Sequence, residues 1–251
     1  MASRVTVRAL FAEHPDAICK ALRELARSLG PDTESDRRPD DFETRRAELA
    51  DKDCEPRLLE LSHHDDPTVR ELAVDALAAW GTEPARERLV ALTQDAVVEV
   101  RASAVGGLEH WPDDEEVAEV LLIAIDDSKW LVRMRAARAM RRVPGSDIDR
   151  ALMTALLDPD SFVRDSASDA LSSRPSADIL PRLRKLFDHP APHTFDAAFE
   201  LAGRIGTDED AAFLARVGRF TNWSQPAQVK RWARDAARAI RARNKAAAEG
   251  R

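Results

Sequence analysis

The sequence predicts an all-α protein: a right-handed α-solenoid of stacked helix pairs, with about four clear and two divergent repeats behind an N-terminal helical cap. Three observations predict it. The signature Val-Arg-x-x-Ala recurs at Val69-Arg70 with Ala73, Val100-Arg101 with Ala104, Val132-Arg133 with Ala136 and Val163-Arg164 with Ala167, and its arginines stand 31, 32 and 31 residues apart. A fixed period of that length marks a chain built from repeated supersecondary units. Counting the Val as zero, apolar or small residues follow at plus 4, 7, 8 and 11, as in Val163, Ala167, Ala170 and Leu171, which puts them on one face of a helix. Finally, 251 residues, 44% hydrophobic and 33% charged, suffice to bury a core and do not compose a disordered polyampholyte.

The elements follow in order. Residues 1–54 stand outside the repeat: "DAICKALRELARSLG" reads as one helix ending at Gly30, and "PDTESDRRPDD" as a polar connector. A helix there would cap the first repeat, whose apolar face must not meet water. Residues 55–243 hold the repeats. Each signature helix is preceded by a turn rich in helix-start residues, such as Asp66-Pro67 or Asp160-Ser161, where Asp caps free N–H groups and Pro fits the first helical position. Gly81 and Gly206 fall where a C-cap is expected. Ahead of each turn lies a second amphipathic run, for example "EPARERLVALTQ" and "DEEVAEVLLIAI", so a unit is helix, turn, helix. The signature then decays: Thr194, Phe195 and Ala198 keep the register of a fifth unit, and Val229, Lys230 and Ala233 that of a sixth. Residues 244–251 are expected to fray into solvent.

The stretch "LLDPDSFVRDSASDAL", with Leu before an Asp turn and then Val-Arg-x-x-Ala-x-x-Ala-Leu, resembles a HEAT repeat of the short bacterial, phycobilisome-lyase-like type. The likeness is good over residues 55–206 and loose over 207–243. Other helical repeats fit worse, since tetratricopeptide units want Tyr, which this chain lacks, and ankyrin units want Thr-Pro-Leu-His. The resemblance implies that recurring Asp and Arg make a ladder between adjacent repeats, with Arg70, Arg101, Arg133 and Arg164 on its arginine rung. It also implies that the second helix of each pair lines the concave surface.

Enzyme chemistry finds little support, and no cofactor or metal is expected. Cys19 and Cys54 are too few for a disulfide framework and read as packed thiols. His189 and His193 in "HPAPH" have metal-pair spacing, but two prolines break the helix that pair would need. His63-His64-Asp65-Asp66 reads as a capping turn, and "WPDDEE" at 111–116 as the first turn of a helix led by Pro112. No nucleophile elbow, phosphate loop or dinucleotide fingerprint occurs. Neither a signal peptide nor a membrane span is evident, so the expected compartment is the cytoplasm.

What remains is a binding surface. At about 100° per residue, plus 2, plus 6 and plus 9 of each second helix point away from the buried stripe. Those positions give Glu71, Asp75, Glu109, Met134, Arg138, Arg141, Asp165, Asp169, Asp196 and Glu200, interleaved with Ala78, Ala102, Gly106, Ser172 and Gly203. The expectation is an acidic groove with a basic spot in the middle and a low ridge of small residues along which another chain can lie. The function expected from it is a non-enzymatic scaffold or adaptor for another, basic protein, as an assembly chaperone or an immunity-type inhibitor. The alternative is a nucleic-acid-binding HEAT-like protein such as an alkylpurine DNA glycosylase. Residues 128–143 do carry six Lys or Arg and no acids, and residues 228–251 eight against two. The rest of the chain, residues 1–227, nevertheless stands near −13, a field that opposes a phosphate ligand and makes nucleic acid the poorer expectation.

Overall fold

Turn chemistry sets the helix starts. In the computed structural model, which describes residues 9, 10, 12, 14–29, 54–187, 195–217 and 226–249, Asp66 accepts a hydrogen bond from the Thr68 amide at 2.8 Å with Pro67 in the first turn. Asp160 caps the matching helix three signatures later through the Phe162 amide at 2.9 Å. At the far end of the first of these helices, Gly81 takes φ 71° and its N–H returns to the Leu77 carbonyl, a left-handed cap that favours glycine.

Among the described residues thirteen α-helices and one short 3-10 turn result, with no strand. In chain order they are α1 (Pro15–Leu29), α2 (Cys54–Leu61), α3 (Pro67–Trp80), α4 (Glu83–Leu92), α5 (Val98–Gly107) with the 3-10 turn Leu108–His110, α6 (Glu115–Ala124), α7 (Trp130–Ala139), α8 (Ser146–Ala155), α9 (Ser161–Ser172), α10 (Ser176–Leu186), α11 (Asp196–Ile205), α12 (Asp208–Val217) and α13 (Pro226–Glu249). The chain forms two compact units, residues 1–120 and 121–251, the boundary falling inside α6. In the first, α3 packs between α1 and α5 while α2 and α4 lie against α3, so α1 occupies the place a preceding signature helix would take. In the second, α7, α9, α11 and α13 pack side by side, α8 and α10 cover α9 and α11, and α12 packs on α13.

The signature residues are the core. Val69, Ala73, Val100, Ala104, Val132, Ala136, Val163 and Ala167 are all at most 1% exposed, as the periodicity predicts. Alanine at plus 4 lets neighbouring helices approach, and valine fills the gap ahead of it. The divergent fifth unit substitutes aromatics: Phe187 stacks on Phe199 at 4.5 Å between centroids, with Phe195, Phe213 and Trp232 around them. In the sixth, Val229, Ala233, Ala236, Ala237 and Ile240 are buried along α13.

Between repeats the arginine rung is explicit. Arg70 forks onto Asp95 with both bonds at 3.0 Å, and Arg133 onto Asp158 at 2.7 and 2.9 Å. The remaining Nη1 of each turns back to the loop before its own helix, Arg70 to His64 and Asp65, Arg133 to Asp127, Arg101 to Asp95 and Ala96, Arg164 to Asp158 and Pro159. One side chain thus staples its own turn and the next repeat, a planar fork that lysine cannot reproduce. The aspartates also accept from backbone amides two residues on, Asp95 from Val97 and Asp158 from Asp160.

Gly206 is the C-cap of α11, as expected, but with an extended backbone at φ −66°; glycine is required there because a Cβ would meet the Ala202 oxygen at 2.4 Å and Ile240 on α13 at 2.7 Å. Two expectations are corrected. The helix in "WPDDEE" begins at Glu115, three residues beyond Pro112, because Asp114 is the better cap and takes the Val117 amide at 3.0 Å. The end of the chain is helical through Glu249, held by Arg243, which donates to the carbonyls of Gly203, Arg204 and Gly206, and by Asn244 on Asp208 at 2.8 Å. The expected helix end at Gly30, the connector after it, Thr194 and the "HPAPH" histidines lie outside the described residues.

Candidate functional site

In the first unit, Glu71 and Asp75 stand one turn apart on α3, Glu71 half-buried and Asp75 exposed. Glu109 is half-buried on the 3-10 turn, because α5 ends at Gly107 before the plus 9 position is reached. Ala78 and Ala102, expected on an open ridge, are only 8% and 2% exposed. The helical wheel of an isolated helix overstates the open strip: α3 is flanked on both sides, so small residues at its margins serve close packing instead of a groove floor.

In the second unit, Met134 (half-buried) and Arg138 (exposed) lie on α7, with exposed Arg141 just past its end. Exposed Asp165 and Asp169 lie on α9, and Asp196 and exposed Glu200 on α11. Two of these carboxylates are committed inside the unit. Asp196 takes both arms of Arg164 at 2.9 Å, so it is the rung partner of that arginine before it is anything else. Asp169 holds Arg204 at 2.5 Å, and Arg204 also reaches the Ser172 hydroxyl at 2.9 Å. Gly203 is buried beneath α13, where a Cβ would stand 3.3 Å from the Ala236 Cα, and so is no part of an open ridge. Asp165 and Glu200 keep neither a hydrogen bond nor an ion pair among the described residues. Crowding of its surroundings, then the charges of Asp196, Asp169 and Asp160, push the Asp165 carboxyl above the ordinary range against the opposing pull of Arg164.

Sequence reasoning missed two exposed aromatics on this face. Trp130 (43% exposed) opens α7 and Phe162 (61% exposed) opens α9, and their rings stack at 5.4 Å with 28° between planes. The available signal was a large aromatic one or two residues ahead of the signature Val, where the first two repeats carry Pro67-Thr68 and Val98-Glu99. Arg204 and Arg243, which tie α11 to α9 and α13, carried no periodic signal.

The residues weighed for chemistry are otherwise engaged. His64 Nδ1 accepts the Asp66 amide at 2.9 Å, doing in the first repeat what Asp95 and Asp158 do in later ones. Asp114 and Glu116 of "WPDDEE" close on Arg86, at 3.4 and 2.6 Å, together with Glu83 at 2.6 Å. Cys19 and Cys54 are buried, and burial pushes the Cys19 thiol up. Among the described residues no three His, Cys, Asp or Glu gather as a metal would require, and no helix is long and apolar enough to cross a membrane. In the second unit an open cleft of about 780 Å³ lies among Ile125, Asp127, Arg150, Thr154 and Pro159, and a smaller one of about 480 Å³ among Met153, Leu157, Arg182 and Leu186.

Comparison with known proteins fits this geometry. No curated protein matches the chain. Among solved structures it is similar in fold to YibA of Escherichia coli, at 17% identity and a TM-score of 0.56 over 96% of this chain and 81% of that one. It is likewise similar to the complex of CpcE and CpcF of phycocyanin lyase from Nostoc sp. PCC7120, at 15% identity and a TM-score of 0.53 over 92% and 93%. A designed armadillo repeat protein in complex with the peptide (KR)4 aligns at 18% identity and a TM-score of 0.51 over 95% and 100%. The HEAT-repeat family itself matches residues 6–109 and 87–172, more than half of the sequence, and the matched residues include all four Val-Arg-x-x-Ala signatures. With its signature valines and alanines buried and Arg70, Arg133 and Arg164 bridging to the next repeat, this chain belongs to the HEAT-repeat family.

Proposed function

We propose that this protein is a non-enzymatic, cytoplasmic scaffold or adaptor that holds a basic protein partner on the exposed faces of its signature helices, as an assembly chaperone or an immunity-type inhibitor would. The observation that carries the reading is the pair Asp165 and Glu200, exposed on the adjacent helices α9 and α11 that the Arg164–Asp196 rung joins, and themselves left without a cation among the described residues. An arrangement of this kind steers a cationic partner and gains on its arrival. Two fold neighbours are compatible with such use, one solved with the peptide (KR)4 and one a complex of two proteins, CpcE and CpcF. In the first unit, Glu71 and Asp75 on α3 and Glu109 just past the end of α5 add negative charge to its own signature helices.

The test reverses Asp165 and Glu200 together to Lys, sparing Asp169 and Asp196 because they hold Arg204 and Arg164. Folding should survive, since exposed changes cost about 0.5 kcal/mol or less each. Titrated with (KR)4 at two salt concentrations, the double variant should bind more weakly, with a loss that shrinks as salt screens the charges. A random DNA duplex should respond in the opposite sense, and tight duplex binding by the unaltered protein would transfer the site to the exposed arginines Arg138 and Arg141. Unchanged (KR)4 affinity in a folded double variant would remove the site from this face.

A further inference from the structure

Large aromatics at a protein surface are uncommon unless something covers them, and two that stack on one another across adjacent repeats form a preset flat patch. Trp130 and Phe162 do so at 5.4 Å, each on the first turn of a signature helix and both clear of the rung. Phe162 is followed one turn later by Asp165, and residues at that spacing are neighbours on a helix surface. Trp130 is followed in the same way by the half-buried Met134. The ring pair therefore has a carboxylate without an ion pair on one side and an apolar thioether on the other.

We propose that Trp130, Phe162 and Asp165 form an anchoring subsite for the guanidinium of an arginine side chain presented by the partner. The inference rests on the reading of this face as a site for a basic protein and specifies how that partner is gripped. Charge complementarity selects the occupant. Of the carboxylates grouped with Asp165, Asp169 is offset by Arg204 and Asp196 by Arg164, leaving Asp160 and Asp165 without an ion pair among the described residues; on α7, Arg133 is closed onto Asp158. Asp160 already accepts the Phe162 amide, which leaves Asp165 as the carboxylate to receive a new donor. A guanidinium meets both demands at once, because it is planar, weakly hydrated, stacks on an aromatic face and forks onto a carboxylate. A lysine ammonium satisfies the charge and forgoes the stack.

The experiment titrates the full chain with labelled hexa-arginine and hexa-lysine and follows anisotropy. Hexa-arginine should bind the more tightly. Trp130→Ala and Phe162→Ala should each weaken hexa-arginine by about threefold to tenfold, the size of a partly desolvated cation–π contact, and change hexa-lysine little. Trp130→Phe should restore most of the loss, and Asp165→Asn should weaken both peptides. Circular dichroism melts establish folding of each variant, and Phe162→Ala carries the comparison by itself where Trp130→Ala is unfolded. Equal affinity for the two peptides, or indifference of hexa-arginine to both aromatic substitutions, overturns the subsite; if the Asp165 and Glu200 reversal still weakens (KR)4, the acidic-face reading stands without it. Failure of all these peptides to bind overturns both.

Discussion

Arg164 and Asp196 meet in a two-armed ion pair at 2.9 Å although 32 residues separate them, whereas Arg70–Asp95 and Arg133–Asp158 each span 25. The longer span shows that the rung is preserved where the repeat diverges: the acceptor has moved from the inter-helix turn to the first residue of α11. A geometry recovered from a different sequence position reflects the constraint on Arg164, whose side chain is 10% exposed and would otherwise leave a buried charge.

That constraint sets the first prediction. Asp196→Ala should destabilise the protein by about 1–2 kcal/mol, less than the roughly 3–5 kcal/mol of a fully buried broken pair, because the Asp196 carboxylate is 42% exposed and water replaces part of the bond. Arg164→Ala in the Asp196→Ala background should cost less than it does alone, since the two side chains act as one interaction. Chemical denaturation of the four proteins of the cycle measures this, and additive losses would show that the pair contributes nothing.

Acid should loosen the repeats from one another. Burial by itself would raise the carboxyls of Asp95, Asp158, Asp196 and Asp210, but hydrogen bonds from Arg70, Arg133, Arg164 and Arg184, joined by backbone amides, outweigh it and hold all four below the usual carboxylate range. A carboxyl depressed in the folded state contributes stability that is fully present above its unfolded value, about 4, and is lost as pH falls through the lower folded value. The melting temperature should therefore be level through neutral pH and fall steeply below about pH 4. Asp158→Asn should lower the plateau and flatten the acid limb; a limb as steep as in the unaltered protein would mean that this rung takes no part in it.

The periodic part of this molecule was legible in the sequence. Val163, Ala167, Ala170 and Leu171 are buried where the helical stripe placed them, and Asp66, Asp160 and Gly81 cap where turn chemistry required. What was hidden depended on neighbours instead of period. Ala78, Ala102 and Gly203 point outward on an isolated wheel and are covered by the adjoining helices. Asp196 left its expected role because it receives Arg164 across 32 residues where the other two rungs span 25, so the offset of those rungs does not point to it. Trp130 and Phe162 stand two and one residues ahead of their valines, a mismatch that hides them from a repeat alignment, yet the offset lets the two rings lean toward each other across adjacent helices.

Gly206 and Gly81 provide the last prediction, because they follow helices in the same way for different reasons. Gly81 has φ 71° and nothing within 4 Å of the place a Cβ would occupy, so Gly81→Ala should cost only the backbone strain of a left-handed alanine, about 1 kcal/mol. Gly206 has an ordinary φ of −66°, and alanine is strain-free there in isolation, but its methyl would stand 2.4 Å from the Ala202 carbonyl oxygen and 2.7 Å from the Ile240 Cδ1. The isoleucine tip can rotate away, whereas the helical carbonyl cannot without disturbing the Gly206 N–H bond to the same oxygen at 2.8 Å. Accommodation must then come from the backbone at Gly206 shifting off the last turn of α11, which also displaces the Arg204 and Gly206 carbonyls that Arg243 caps. Gly206→Ala should thus cost about 2–3 kcal/mol, more than Gly81→Ala, as overpacking does in a closed interface. Paired with it, Arg243→Ala should be less damaging than in the unaltered protein, because the cap has already been lost. Denaturation midpoints of the three single variants and the Gly206–Arg243 double measure both statements, and a Gly206→Ala loss no larger than that of Gly81→Ala would show that the turn after α11 is not held against the Ala202 carbonyl as tightly as these distances require.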